Sequence, residues 1–278
     1  MKAVSCYHPG RLFSAISITG VRCALQCPHC MGRSLSSMTP AENPQKLVDL
    51  AYVLADRGAL GFLLSGGFDS HGSLPVGNYI DAIRRIKETT QLRINAHIGY
   101  PHRGDIESLV RSGIDVYSIN FPMGDRVGEG YLRIETAMAK YEKTVNGLVN
   151  AGAEKVIPHA LIGLSEIEED LKGMSILAKN PPEALVIIAF VPKRGTSLAS
   201  RSPTSATRII STLEHVRLQM PDTTLVLGCM RPRGQLSAEE YIIDNLIDGI
   251  VLPSHSVQRK VADRVLFKHL DGCCALYL

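Results

Sequence analysis

A chain of 278 residues makes one large domain or two small ones. Hydrophobic residues at 45% and charged residues at 21% exclude a disordered or collagen-like polymer. With 30 basic and 27 acidic side chains the net charge of +3 is too balanced to make nucleic acid the main partner. No apolar run approaches the ~18 residues of a membrane span. The start, Met1 to Cys6, lacks the apolar segment of a secretory signal, so the chain is expected in the cytoplasm, away from membranes.

In chain order, short β-branched and aliphatic runs predict strands over 14–19, 61–65, 92–98, 115–120, 155–162, 185–191, 224–227 and 249–252. Between and after them, amphipathic stretches predict helices over 44–57, 77–89, 105–112, 131–151, 166–179, 204–219, 239–246 and 256–270. Eight such units imply a parallel α/β sheet curled into a (β/α)8 TIM-type barrel, with an open doubly wound sheet as the alternative. No linker or repeat divides the chain, so 1–278 reads as one domain. Its core covers about 13–270, and 1–12 and 271–278 are terminal extensions. A barrel places its chemistry at the C-terminal ends of its strands.

Seven cysteines form an odd set in a chain with no export signal, which favours ligands or packed thiols over disulfides. Cys23, Cys27 and Cys30 follow the first strand at C-x3-C-x2-C spacing. Three thiolates on one loop leave one iron of a [4Fe-4S] cluster without a protein ligand. A structural zinc would want a fourth ligand, and His29 lies between two of the cysteines; a zinc knuckle and buried thiols are the other uses of such a group. After the second strand comes Ser65-Gly66-Gly67-Phe68-Asp69, whose two glycines let backbone approach a ligand. Asn95 and His97 share one face of the third strand, and Ser118 and Asn120 one face of the fourth. Polar groups there bind substrate or cofactor, or else satisfy one another in the core. Tyr100, Pro101 and the run Phe121 to Gly124 are wall or core residues.

This motif set resembles the radical S-adenosylmethionine (SAM) superfamily. The resemblance implies a [4Fe-4S] cluster on Cys23, Cys27 and Cys30, with SAM on the fourth iron. Reductive cleavage of SAM then yields a 5′-deoxyadenosyl radical that removes hydrogen from an unactivated carbon. It implies that His29 lies near the adenine and that Ser65, Gly66 and Gly67 receive the methionine amino group. Phe68 stands where that family's motif has Glu, leaving Asp69 to take part instead. The segment His159-Ala160-Leu161-Ile162-Gly163-Leu164-Ser165-Glu166 is similar to the family's adenine-side segment through Leu161, Gly163 and Glu166, with His159 in place of a glycine. Phe190 to Thr196 is similar to a Pro-x-x-Gly-Thr loop.

Four further cysteines, Cys6, Cys229, Cys273 and Cys274, equal the number needed for a second, auxiliary iron–sulfur cluster; packed thiols are the alternative. Cys229 follows the seventh strand at the barrel mouth, whereas a final helix would carry Cys273 and Cys274 to the opposite end unless the tail folds back. Arg231 pairs naturally with the SAM carboxylate or a cluster. The phrases Ile18-Thr19-Gly20, His29-Cys30, Ser65-Gly66-Gly67, Leu227 to Pro232 and Cys273-Cys274 resemble archaeal-type biotin synthase homologues, some of which act as paired lipoyl synthases. That likeness implies sulfur insertion into an octanoyl chain on a carrier protein or peptide. It also implies an electron donor such as ferredoxin or flavodoxin, and a second radical SAM subunit. A radical SAM maturase, a carbon-skeleton rearranging enzyme, and a zinc or iron–sulfur scaffold are the other readings.

Overall fold

All eight predicted strands form, each within two residues of its expected bounds, in a computed structural model that describes residues 1–102 and 104–278. The first half of the chain runs β1 (Lys2–His8), β2 (Phe13–Ser17), β3 (Thr39–Pro40), α1 (Pro44–Asp56), β4 (Gly61–Ser65), α2 (Ile80–Thr89), β5 (Arg93–His97), α3 (Ile106–Arg111), β6 (Val116–Phe121), α4 (Asp125–Val127) and α5 (Ala137–Asn150). The second half runs β7 (Val156–Ile162), α6 (Ile167–Leu177), β8 (Ala184–Ala189), α7 (Ala206–Gln219), β9 (Thr224–Leu227), α8 (Leu236–Asn245), β10 (Gly249–Val251), α9 (His255–Val261) and β11 (Val265–Asp271). Helix starts follow local chemistry. The Asn43 side chain accepts the Lys46 N–H ahead of α1, which opens on Pro44, and Ser205 and Ser254 cap α7 and α9 in the same way.

The strands form one parallel sheet in the order β11-β1-β10-β9-β8-β7-β6-β5-β4-β2-β3. β1 and β2 lie near opposite ends of that order, yet only residues 9–12 join them. Five Cα steps reach at most about 18 Å, so the sheet must curl until its two ends approach. The seam of this barrel is spanned by chain and not by ladder hydrogen bonds.

Alternation along the strands sorts side chains between two cores. Ile94 and Ala96 of β5 face the helices, in the large outer core, while Arg93, Asn95 and His97 face into the curl. The inner core takes Tyr7 from β1, Phe13 from β2, Val116 from β6, Ile157 from β7, Val186 from β8, Val226 from β9 and Val251 from β10. It also takes Cys274, Ala275 and Leu276, so the C-terminal tail plugs the floor of the lumen.

Two expectations are corrected here. The helix expected over 256–270 ends at Val261, and β11 follows it, pairing parallel to β1 from Lys2↔Val265 to His8↔Asp271. Residues 1–12 are likewise no loose extension, because β1 is an internal strand between β10 and β11. Together these strands replace the last helical crossing. β11 ends level with the upper end of β1, and Gly272, at φ +106° where L side chains are strained, turns the tail back into the curl. Its N–H donates to the His8 carbonyl at 2.9 Å.

Candidate active site

The loop after β2 turns back twice within eight residues. The Cys30 and Met31 N–H groups both donate to the Cys27 carbonyl, which packs Cys27 and Cys30 into one compact turn. Gly67, just beyond β4, lies directly against this loop. A Cβ there would stand 1.9 Å from the Arg22 carbonyl oxygen and 2.6 Å from Cys23 Cβ. Thr19 Oγ1 accepts the Gly67 N–H at 2.6 Å, and the Ala24 N–H donates to the Phe68 carbonyl. The glycine pair thus locks the cysteine loop onto the end of β4.

Cys23, Cys27, Cys30 and His29 line a cavity of about 230 Å³ together with Ser65, Gly66, Gly67, His97, Asn120, His159 and Leu161. Eleven of the residues singled out in the sequence, drawn from four separate strands and two loops, therefore share one chamber. Phe68, Phe121, Leu132, Ile134, Ile188 and Met230 supply its apolar wall. Leu132 and Ile134 escaped notice because they lie in the irregular crossing before α5. Ile188 was legible as an inward position of β8.

The electrostatics of the chamber suit metal ligation. Cys27 Sγ donates to the Leu132 carbonyl at 3.1 Å. The contact between the Cys27 and Cys30 thiols pushes the Cys27 pKa up and, with help from His29, holds Cys30 well below the usual thiol range. His29 Nδ1 lies 3.3 Å from the Tyr131 carbonyl. Across the chamber His97 and His159 meet edge to face, ring centroids 5.0 Å apart. Burial pushes His97 down to about 3 and His159 to about 4. His159 Nδ1 is 3.1 Å from the Ile157 carbonyl, so the donating tautomer leaves Nε2 as a bare acceptor. Among the described residues no three Cys, His, Asp or Glu side chains already stand at mutual coordination distance. The three thiols of one loop, facing a glycine cradle, fit a cluster with one open iron. Cys23, Cys27 and Cys30 would hold it, and the Ser65–Gly67 backbone would hold its organic ligand.

Deeper in the curl a second cysteine group is assembled. Asn95 accepts the Ser118 hydroxyl at 2.8 Å and donates Nδ2 to Cys273 Sγ at 3.4 Å. Cys274 donates to Cys273, which brings the Cys273 pKa down to about 7 and raises that of Cys274. Cys229, just beyond β9, is exposed, but protein surrounds it closely enough that burial, and then the nearby Cys273, raises its thiol. The tail therefore folds back, bringing Cys273 and Cys274 to Cys229. Cys6 does not join them: it lies fully buried on the helix-facing side of β1, in the outer core, while its neighbour Tyr7 faces the lumen.

Five further expectations are corrected by the geometry. Asp69 accepts the His71 and Ser73 N–H groups and pairs with His102 at 3.5 Å, outside the chamber. Asn95 belongs to the deeper cysteine group. The Gly163 N–H donates to Asp170 Oδ2 at 3.0 Å, a buried tie to α6, and Glu166 is exposed at the start of that helix. Arg231 is spent on the fold: it donates to the Gly228, Val251 and Leu252 carbonyls and pairs with Glu239 at 2.8 Å.

No protein-family model matches the chain. The biotin synthase of Histophilus somni is 24% identical over 231 residues, covering 80% of this chain and 69% of that protein. That of Bordetella avium is 26% identical over 279 residues, covering 94% and 83%. Among solved structures, the FeFe-hydrogenase maturase of Carboxydothermus hydrogenoformans superposes with a TM-score of 0.63 at 16% identity, over 99% of this chain and 69% of that one. Methylornithine synthase gives 0.64 at 16%, over 89% and 71%. SuiB of Streptococcus suis bound to S-adenosylmethionine gives 0.62 at 12%, and this chain spans 58% of its length. Among the described residues no helix is long and apolar enough to cross a membrane. The chain is thus similar in sequence to biotin synthases and in fold to these solved structures, in line with its cysteine turn and glycine cradle.

Proposed function

We propose that this protein inserts sulfur into an unactivated C–H bond, with an octanoyl chain on a carrier protein or peptide as substrate. The observation that carries the reading is the second cysteine group: Cys273 and Cys274 belong to the inner core, with Cys229 close enough to interact with both. When bound, the first cluster and SAM supply a deoxyadenosyl radical, and a second cluster supplies sulfide. The chain's own residues then position and exclude. Gly66 and Gly67 present backbone to the amino-acid end of SAM. His97 and His159, neutral through burial, cannot protonate a sulfide or thiolate near pH 7. The apolar wall of Phe121, Leu132, Ile134 and Ile188 suits an alkyl chain and keeps water from a radical. One external electron is needed for each SAM cleaved, from a donor such as ferredoxin or flavodoxin. A second radical SAM subunit is the partner to look for.

The test is anaerobic reconstitution with iron and sulfide, followed by iron quantitation and Mössbauer spectroscopy. Wild type should hold about eight irons, and a Cys23/Cys27/Cys30→Ala variant about four. Supplying an octanoylated peptide, SAM and a reductant should then yield 5′-deoxyadenosine and a sulfur-bearing peptide by mass. About four irons in wild type and none in the variant would end the sulfur reading and turn attention to maturation or carbon-skeleton rearrangement.

A further inference from the structure

The tail that delivers Cys273 and Cys274 has little regular structure of its own: Cys274–Tyr277 is a single 3-10 turn. Its place in the lumen is nevertheless specified at one atom. The Leu276 carbonyl oxygen accepts Arg93 Nη2 at 2.7 Å and Lys155 Nζ at 3.2 Å. Arg93 is the first residue of β5, and Lys155 immediately precedes β7. The two therefore rise from the lower ends of strands on either side of β6 and close on one oxygen. A carbonyl has two lone pairs, and here cations hold both. Neither cation has a carboxylate partner among the described residues. Packing alone would hide Ala275 and Leu276 at many depths, because apolar burial is non-directional. Two directed bonds to a single carbonyl fix one depth.

We infer that Arg93 and Lys155 are positioning residues for the auxiliary metal site: by clamping Leu276 they set the height at which Cys273 and Cys274 stand opposite Cys229. The inference rests on the proposed reading that these three cysteines hold a second cluster. Asn95 then finishes the placement at the other end of the tail, through its bond to Cys273 Sγ. The clamp also explains a sequence feature otherwise without a use. Arg93 is a charged residue at an inward position of a barrel strand, where an apolar side chain would be the ordinary choice.

The test is an Arg93→Met/Lys155→Met variant of the full chain, reconstituted beside wild type. Expected are about eight irons in wild type and about four in the variant, with the first cluster's SAM-cleaving activity retained. Before reconstitution, iodoacetamide should alkylate Cys273 about tenfold or more faster in the variant, since two charge-assisted bonds have gone. An Arg93→Lys/Lys155→Arg variant keeps both donors and should return towards eight irons. Eight irons and unchanged alkylation in the Met variant would overturn the clamp while leaving the function reading intact. About four irons in wild type would overturn the function reading, and the clamp's role at a metal site with it. If the double variant loses all its iron, Lys155→Met alone decides, by its alkylation rate against wild type.

Discussion

His97 and His159 show how one side chain's surroundings set its chemistry. Each faces the lumen from an inward strand position, and burial depresses both below the ordinary 6.5, to about 3 and about 4. Because the unfolded chain takes up these protons first, it binds more protons than the folded one as pH falls below 6.5. Their contribution to stability is therefore complete above 6.5 and is lost as pH falls towards 4, by up to about 1.4 kcal/mol per pH unit for each ring. In anaerobic NMR, two imidazole resonances should stay at their neutral positions from pH 8 to about 5. Two lumen histidines titrating near 6.5 would mean that water reaches them. At this scale the sequence was legible wherever the signal was local. The cysteine spacing and the glycine pair reveal themselves within a few residues. Arg231 misled because most of its partners come from elsewhere in the fold: the Val251 and Leu252 carbonyls and the Glu239 carboxylate lie outside its own motif.

Arg231 belongs equally to the scale of elements, since it ties three of them together. Its guanidinium takes carbonyls from the ends of β9 and β10 and the Glu239 carboxylate of α8, with side-chain exposures of 3% and 13% for the pair. Removing one partner of so buried a pair strands the other charge and three carbonyls, at a cost of about 3–5 kcal/mol. Arg231→Met should therefore lower the denaturant midpoint sharply while leaving SAM affinity, measured on protein that remains folded, within about twofold. A specific loss of SAM binding at unchanged stability would return this residue to the cofactor site. Elements were also where periodicity ran out. The stretch 256–270 carries apolar residues at spacings a helix accepts, yet Val265-Leu266-Phe267 is equally a strand start, and short apolar runs do not distinguish the two. What decided was tertiary: β1 offered seven residues of parallel edge for β11 to pair with.

At the scale of the whole molecule, the sheet is uneven in how well it is covered. β4 to β10 have neighbours on both sides and helices outside, whereas β11, among the described residues, pairs with β1 alone and closes the order at one end. Leu266 is 61% exposed, and Lys268 and His269 are exposed beside it, so this edge meets solvent. An edge strand with water on its free side opens at a lower free energy than the strands within. Here that strand leads directly, through Gly272, to Cys273 and Cys274, so an edge strand of the sheet carries two of the three cysteines of the second group. Local opening of β11 should therefore be the route by which those thiols meet reagents, iron or oxidant without global unfolding. Hydrogen exchange should find β11 amides at least about tenfold less protected than those of β6 and β7, a difference of 1.4 kcal/mol or more in opening free energy. Across temperature, the alkylation rate of Cys274 should rise in parallel with β11 exchange and not with that of β6. If instead Cys274 reacts only as the central strands open, the tail is part of the global folding unit. Iron would then have to reach it through the mouth of the barrel, past Cys23, Cys27 and Cys30.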